Sequence, residues 1–289
     1  MSGDETPLIV PPSWLAADLG ADNAVRVLDG SWHLPPLGRD PAAEFMEAHI
    51  PGAAFFDIDG ICDPDSSLPH MLPSPELFGR SVSALGVSNG THVVVYDTVG
   101  LYSAARVWWM FRVFGHERVS ILAGGLPRWQ AESRPVESGE AAIAPGSFTA
   151  RAPDETLVRS FEQVRATLST GSAQIVDARA VARFTGEDPG PRPDLPRGHI
   201  PGSRNVPFDV VLDDDDATLG DTAAIRRAFA DAGVDPARPV IATCGSGITA
   251  CTLALALIAI GAEEVAVYDG SWSDWGGRAD APVESGGPA

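Results

Sequence analysis

The chain has 289 residues, 44% of them apolar, and a formal net charge of −19 from 39 acidic and 20 basic side chains. Such a charge excludes nucleic acid and an anionic membrane surface as natural partners. All 20 basic residues are arginine, which excludes a lysine Schiff base, hence pyridoxal phosphate in its usual attachment, and a phosphate loop built on a Gly-Lys pair.

Residues 1–10 carry acids where a signal peptide has a basic region followed by a long apolar one, so none is expected. Val25–Asp29 reads as a strand ending in Asp, upstream of the turn His49-Ile50-Pro51-Gly52. His92–Asp97 reads as a buried strand, followed by an apolar helix over Ser103–Phe114. Val119–Leu122 is the next strand and runs into Gly124, Gly125 and Trp129. The stretch Ser133–Pro153, rich in Pro, Gly, Ser and Ala, has no sustained periodicity and reads as a linker. The same order then repeats: Gln174–Asp177, the turn His199-Ile200-Pro201-Gly202 at an offset of 150 residues, Pro239–Cys244, Ala250–Ile260, and Val265–Tyr268 before Gly270, Trp272 and Trp275. Short apolar strands alternating with helices imply parallel sheets covered by helices on both faces. The expected architecture is therefore a tandem α/β duplication: a first domain over residues 1–140, a linker over 141–154 and a second domain over 155–289.

Lesser features read plainly. Asp213–Asp216 is expected to be a solvated loop, since calcium-loop spacing is absent. The helix over Ala250–Ile260 is too short to span a bilayer. Cys62, Cys244 and Cys251 are too few and too irregularly spaced for a disulfide scaffold or a zinc site, which points to a reducing, cytoplasmic setting and to no metal. His49 and His199 are expected to fix their turns, and Cys251, seven residues after Cys244, to lie in the core two turns along its helix.

Chemistry concentrates at Cys244-Gly245-Ser246-Gly247-Ile248-Thr249, where a strand exits toward a helix N-terminus. Unpaired N–H groups and the positive end of the helix dipole stabilise negative charge on a sulfur held there, and two glycines let the loop fold back around it. The first copy has Asp97 at this position. A carboxylate cannot act as a soft nucleophile or carry sulfur, so only the second copy is expected to be chemically competent.

These residues, with Phe45–Phe56, the helix Arg106–Phe114 and the segment Tyr268-Asp269-Gly270-Ser271-Trp272-Ser273-Asp274-Trp275, resemble the two-domain rhodanese-like sulfurtransferases along the whole chain. Asp274 departs from the family, which more often has Glu there. The uncharged loop resembles the version found in 3-mercaptopyruvate sulfurtransferases, since thiosulfate sulfurtransferases carry basic residues after the cysteine. The resemblance implies sulfur transfer from a small-molecule donor through a Cys244 persulfide, with release of pyruvate. The acceptor is cyanide or a thiol, such as thioredoxin or a low-molecular-weight thiol, and no cofactor is required. It also implies that Arg183 and Arg192 grip the donor carboxylate. Gly245, Gly247 and Ile248 would bind substrate, the inward N–H groups of residues 245–249 stabilising the anionic sulfur, and Ser246 or Thr249 would pass a proton to the departing enolate. Asp59 and His70 match a proton relay that reaches Ser246, although capping or structural roles suit those two side chains equally.

Three alternatives compete. A phosphatase on such a loop needs an arginine six positions after the cysteine, and that position is Ala250. Thiosulfate:cyanide sulfurtransferase is nearer, because a dianionic donor is disfavoured only by the absence of cations beside Cys244. A persulfide carrier or regulatory module that merely relays sulfur is the non-enzymatic reading.

Overall fold

The computed structural model describes residues 6–19 and 25–287. Residues 1–5, which contribute to the expectation of no signal peptide, lie outside the described residues. The chain divides into two compact units: 1–64, 72–154 and 214–218 in the first, 65–71, 155–213 and 219–289 in the second.

The first unit is built on a parallel sheet of β1 (Ile9–Val10), β2 (Val25–Asp29), β3 (Ala54–Phe55), β4 (His92–Tyr96) and β5 (Val119–Leu122), in the order β1-β5-β4-β2-β3. The second repeats it with β6 (Val158–Arg159), β7 (Gln174–Asp177), β8 (Arg204–Asn205), β9 (Val240–Thr243) and β10 (Val265–Tyr268), in the order β6-β10-β9-β7-β8. Even the register repeats. Asp29 pairs with Tyr96, just before Asp97, and Asp177 pairs with Thr243, just before Cys244.

Five helices accompany each sheet among the described residues: α1 (Pro12–Asp18), α2 (Pro41–Glu47), α3 (Pro75–Ala84), α4 (Ala104–Val113) and α5 (Gly125–Ala131), then α6 (Phe161–Thr170), α7 (Val181–Thr185), α8 (Thr222–Asp231), α9 (Ala250–Ala259) and α10 (Ser271–Trp275). Their starts follow local chemistry. Ser74 precedes Pro75 and caps α3, Asp221 caps α8, and Ser160 with Gln163 forms a capping box on α6. The helices that follow the central strands, α4 and α9, are almost wholly buried, as helices apolar on every side must be. None of the described helices is long and apolar enough to cross a membrane.

The two His-Ile-Pro-Gly turns are held alike. His49 stacks on Phe45 and bonds its carbonyl through Nδ1 (2.8 Å), and His199 does the same with Phe184 (2.9 Å). Each turn is closed by a glutamate from farther along its unit: Gly52 N–H donates to Glu137, and Gly202 N–H donates to Glu284.

Part of the stretch read as a linker is laid against the first unit. Gly146 N–H donates to Ser83 O, Arg151 N–H to Phe114 O and Asp154 N–H to Val113 O, while Phe148 is buried beside Phe78 and Phe111. Its hydrogen bonds run to the ends of α3 and α4 and to Ser88 and Asn89 in the loop after α3, so no periodicity marks it. The aspartate run also differs from a freely solvated loop, because 214–218 belong to the first unit and Asp216 pairs with Arg128 at 2.8 Å.

The strand-end aspartates differ between units. Asp177 forms a buried ion pair with Arg179 (2.6 Å), whose guanidinium lies 4.5 Å over Trp272. Asp29 has Ser31 in the matching place, and burial pushes its carboxyl from 3.8 up to about 6, against hydrogen bonds from Ser31 and Tyr96 and with a smaller push from Asp97. The folded chain therefore binds this proton more tightly than the unfolded chain. The stabilisation is complete below the ordinary value of 3.8 and lost as pH rises through about 6. Asp29→Asn is expected to raise the melting temperature at pH 7.5 by at least about 3 °C, with the gain vanishing near pH 4. Calorimetry at the two pH values checks this, and an equal effect at both refutes it.

Candidate active site

Cys244 follows β9 and is 2% exposed, with α9 beginning at Ala250. The loop between them is shaped by its glycines. Gly247 takes a left-handed φ of +81°, and a Cβ on Gly245 would come within 3.1 Å of Nη2 of Arg183. Ile248 and Thr249 are buried and Ser246 is half-buried; Thr249 is the N-cap residue of α9 but makes no side-chain capping bond. Cys251 is the second residue of α9 rather than two turns along it, because the helix starts only at Ala250. It is fully buried, and its thiol donates to Gly247 O at 3.2 Å.

The first turn of α10 stitches the loop from outside. Trp272 N–H donates to Cys244 O (3.0 Å), and both the N–H and the hydroxyl of Ser273 donate to Gly245 O (2.9 and 2.8 Å). Cys244 N–H donates to Ser271 Oγ at 3.1 Å, and that oxygen lies 4.0 Å from Cys244 Sγ. In the sequence, residues 270–275 stand out through the internal repeat and the family resemblance, neither of which points to a contact with Cys244. The available signal was a Gly-Ser pair after β10 where the first copy has Gly124-Gly125.

Arg183, on α7, reaches this loop. Its guanidinium stands between Gly245 and Gly190, where a Cβ would fall 2.6 Å from Nε, so two glycines make room for one cation. Arg192 is not brought to the loop in the same way. Its fork bonds both oxygens of Asp194 at 3.1 Å in an exposed pair, and this partner holds its ionisation above the ordinary guanidinium value. His70 is buried, has a φ of +60°, and lies in the 65–71 segment of the second unit. Asp59 lies in the first unit, where its carboxylate accepts the indole N–H of Trp32 at 3.0 Å. Cys62 donates its thiol to Asp59 O, and burial together with the charges of Asp59, Asp57 and Asp63 raises its ionisation above the usual thiol value, which disfavours a reactive thiolate.

The first unit shows what the same frame does without sulfur. Asp97 is fully buried and accepts four backbone N–H bonds, from Val99, Tyr102, Ser103 and Ala104 at 2.7–3.0 Å. Its own carboxylate thus occupies the anion cradle at the helix start. The cation is reversed as well. Glu44, next to the His-stacked Phe45, matches Arg183, next to the His-stacked Phe184. Glu44 is held by Arg39 (2.6 Å) and His33 (2.9 Å) and lies 3.4 Å from Thr98, the residue after Asp97.

The chain is similar to known proteins in sequence and fold. The family model described as "Rhodanese-like domain" matches residues 11–132 and again 160–278. The human 3-mercaptopyruvate sulfurtransferase is 46% identical over 94% of this chain and 92% of its own length. A thiosulfate sulfurtransferase of Cricetulus griseus is 44% identical over 92% of this chain and 91% of its own length. Among solved structures, SseA from Escherichia coli, described with the rhodanese fold of 3-mercaptopyruvate sulfotransferases, superposes with a TM-score of 0.84 at 40% identity, covering 92% of this chain and 99% of that one. With the same sheet order built twice and the family model matched in each half, the chain belongs to the rhodanese-like family and carries its domain in tandem.

Proposed function

We propose that this protein is a 3-mercaptopyruvate sulfurtransferase acting through a persulfide on Cys244. The observation that carries the reading is the charge pattern around the sulfur. Gly245, Ser246 and Gly247 are uncharged, while one guanidinium, that of Arg183, stands against Gly245. A donor whose carboxylate lies a few bonds from its sulfur suits this separation, and a planar guanidinium takes a carboxylate by two hydrogen bonds. Arg192 supplies the second cation by exchanging Asp194, a small cost for an exposed pair.

In the first step the Cys244 thiolate attacks the donor sulfur, forming the S–S bond as the C–S bond breaks. The electron pair of that bond passes to the enolate of pyruvate, which takes up a proton at carbon, passed by the hydroxyl of Ser246 or Thr249 in the loop. The family resemblance assigns Asp59 and His70 to the proton relay that serves Ser246. A thiol of a thioredoxin or a small thiol, or cyanide, then takes the outer sulfur and restores the thiolate. Gly247 and Ile248 shape the loop around these steps. The first domain is non-catalytic in this reading, since Asp97 fills its own cradle. We place the protein in the cytoplasm, whose reducing conditions suit three cysteines held outside any disulfide.

The Cricetulus griseus relative favours thiosulfate as the second reading. Steady-state rates with each donor and cyanide separate the two. 3-Mercaptopyruvate is expected to exceed thiosulfate by about a hundredfold in kcat/KM, roughly one charged contact in the transition state. Equal or greater efficiency with thiosulfate refutes the assignment.

A further inference from the structure

Ser271 is one of four described non-glycine residues with a left-handed φ, here +49°. Such a backbone strains any residue with a Cβ, and strain that persists at a site marks a side chain that is used there. The duplication supplies the control. Gly125 holds the corresponding turn after β5 with a φ of +53°, and Leu126 N–H donates to Asp97 O just as Trp272 N–H donates to Cys244 O. Glycine meets that turn without strain, yet the second unit carries serine.

What the serine adds is one hydroxyl. It is fully buried, accepts the N–H of Cys244 at 3.1 Å, donates to Tyr268 O at 2.8 Å, and rests 4.0 Å from Cys244 Sγ. Tyr268 ends β10, beside the strand that delivers Cys244, so the hydroxyl bridges two neighbouring strand ends. With Trp272 on the carbonyl side, both peptide groups of Cys244 are held by the start of α10. We propose that Ser271 is a positioning residue for sulfur transfer: it fixes the Cys244 backbone so that Sγ meets the donor at the angle of attack. The proposal rests on Cys244 being the nucleophile.

Ser271→Gly keeps the turn and removes the hydroxyl; Ser271→Ala removes the hydroxyl and keeps the strain. Both are expected to lower kcat with 3-mercaptopyruvate about tenfold, the worth of one buried hydrogen bond in the transition state, with KM unchanged. Iodoacetamide labelling of the Cys244 peptide, followed across pH by mass spectrometry, is expected to shift its midpoint upward in both variants. Melting temperature is expected to hold or rise in Ser271→Gly. A Ser271→Gly enzyme with wild-type kcat and labelling profile overturns the proposal. So does a loss of activity that tracks a loss of melting temperature with the labelling midpoint unmoved, because that is the mark of a purely structural residue. Cys244→Ala serves as the reference: if it stays active, the nucleophile assignment falls and this proposal with it. If it is dead while Ser271→Gly is wild type, only the positioning role falls.

Discussion

Cys244→Ser is expected to abolish turnover of 3-mercaptopyruvate, by at least about 10⁴-fold in kcat, while leaving the fold intact. The substitution exchanges sulfur for a smaller oxygen at a site 2% exposed, and the backbone bonds to Ser271 and Trp272 do not involve the changed atom. The chemistry does involve it. A hydroxyl is a far weaker nucleophile than a thiolate, and an oxygen–sulfur bond is no substitute for a persulfide that a second thiol can open. Pyruvate release measures the rate, and the intact mass after donor exposure without acceptor reports the intermediate. Wild type is expected to gain one sulfur atom and the variant none. A variant that still forms the adduct refutes the mechanism, with Cys251 and Cys62 as the sulfurs to examine next.

Arg183→Ala is expected to have the second largest effect, a loss of about 10²-fold in kcat/KM for 3-mercaptopyruvate carried mainly by KM. The guanidinium fills a space bounded by Gly190 and Gly245, so its removal takes away the cation that stands against the loop. Arg183→Lys is expected to recover only part of the loss, because an ammonium on a flexible stem lacks the planar fork. Arg192→Ala is expected to cost several-fold less than Arg183→Ala, since Asp194 already occupies the Arg192 fork and substrate must displace it. An unchanged KM in Arg183→Ala removes that residue from the site, and a larger loss at Arg192 reverses the assignment of roles.

Much of the fold was legible residue by residue. The strands β2, β5, β7 and β10 carry the spans expected from their apolar runs, because a short buried strand shows itself as an uninterrupted stretch of β-branched and aliphatic residues. Helices α4 and α9 begin and end within a residue or so of their expected limits, since Gly115 and Gly261 stop them with left-handed φ values. The linker was less legible. Phe148 is an isolated aromatic in a polar stretch, and nothing local tells that it is buried beside Phe78 and Phe111.

The candidate site divides in the same way. By itself the sequence determined that the chain is a duplication, that each half is a parallel α/β unit, and that one half holds a cysteine at a strand–helix junction where the other holds Asp97. These are matters of local periodicity, turn residues and identity at a repeated position, all carried along the chain. Only the tertiary structure decided that Arg183 stands against Gly245, that Arg192 is taken up by Asp194, that Asp97 fills its own cradle, and that Ser271, 27 positions beyond Cys244, holds its N–H. The last contact exists because β10 lies beside β9, so the residue just past one strand meets the residue just past the other. Strand order is set by which apolar faces pack together, and no spacing along the chain encodes it.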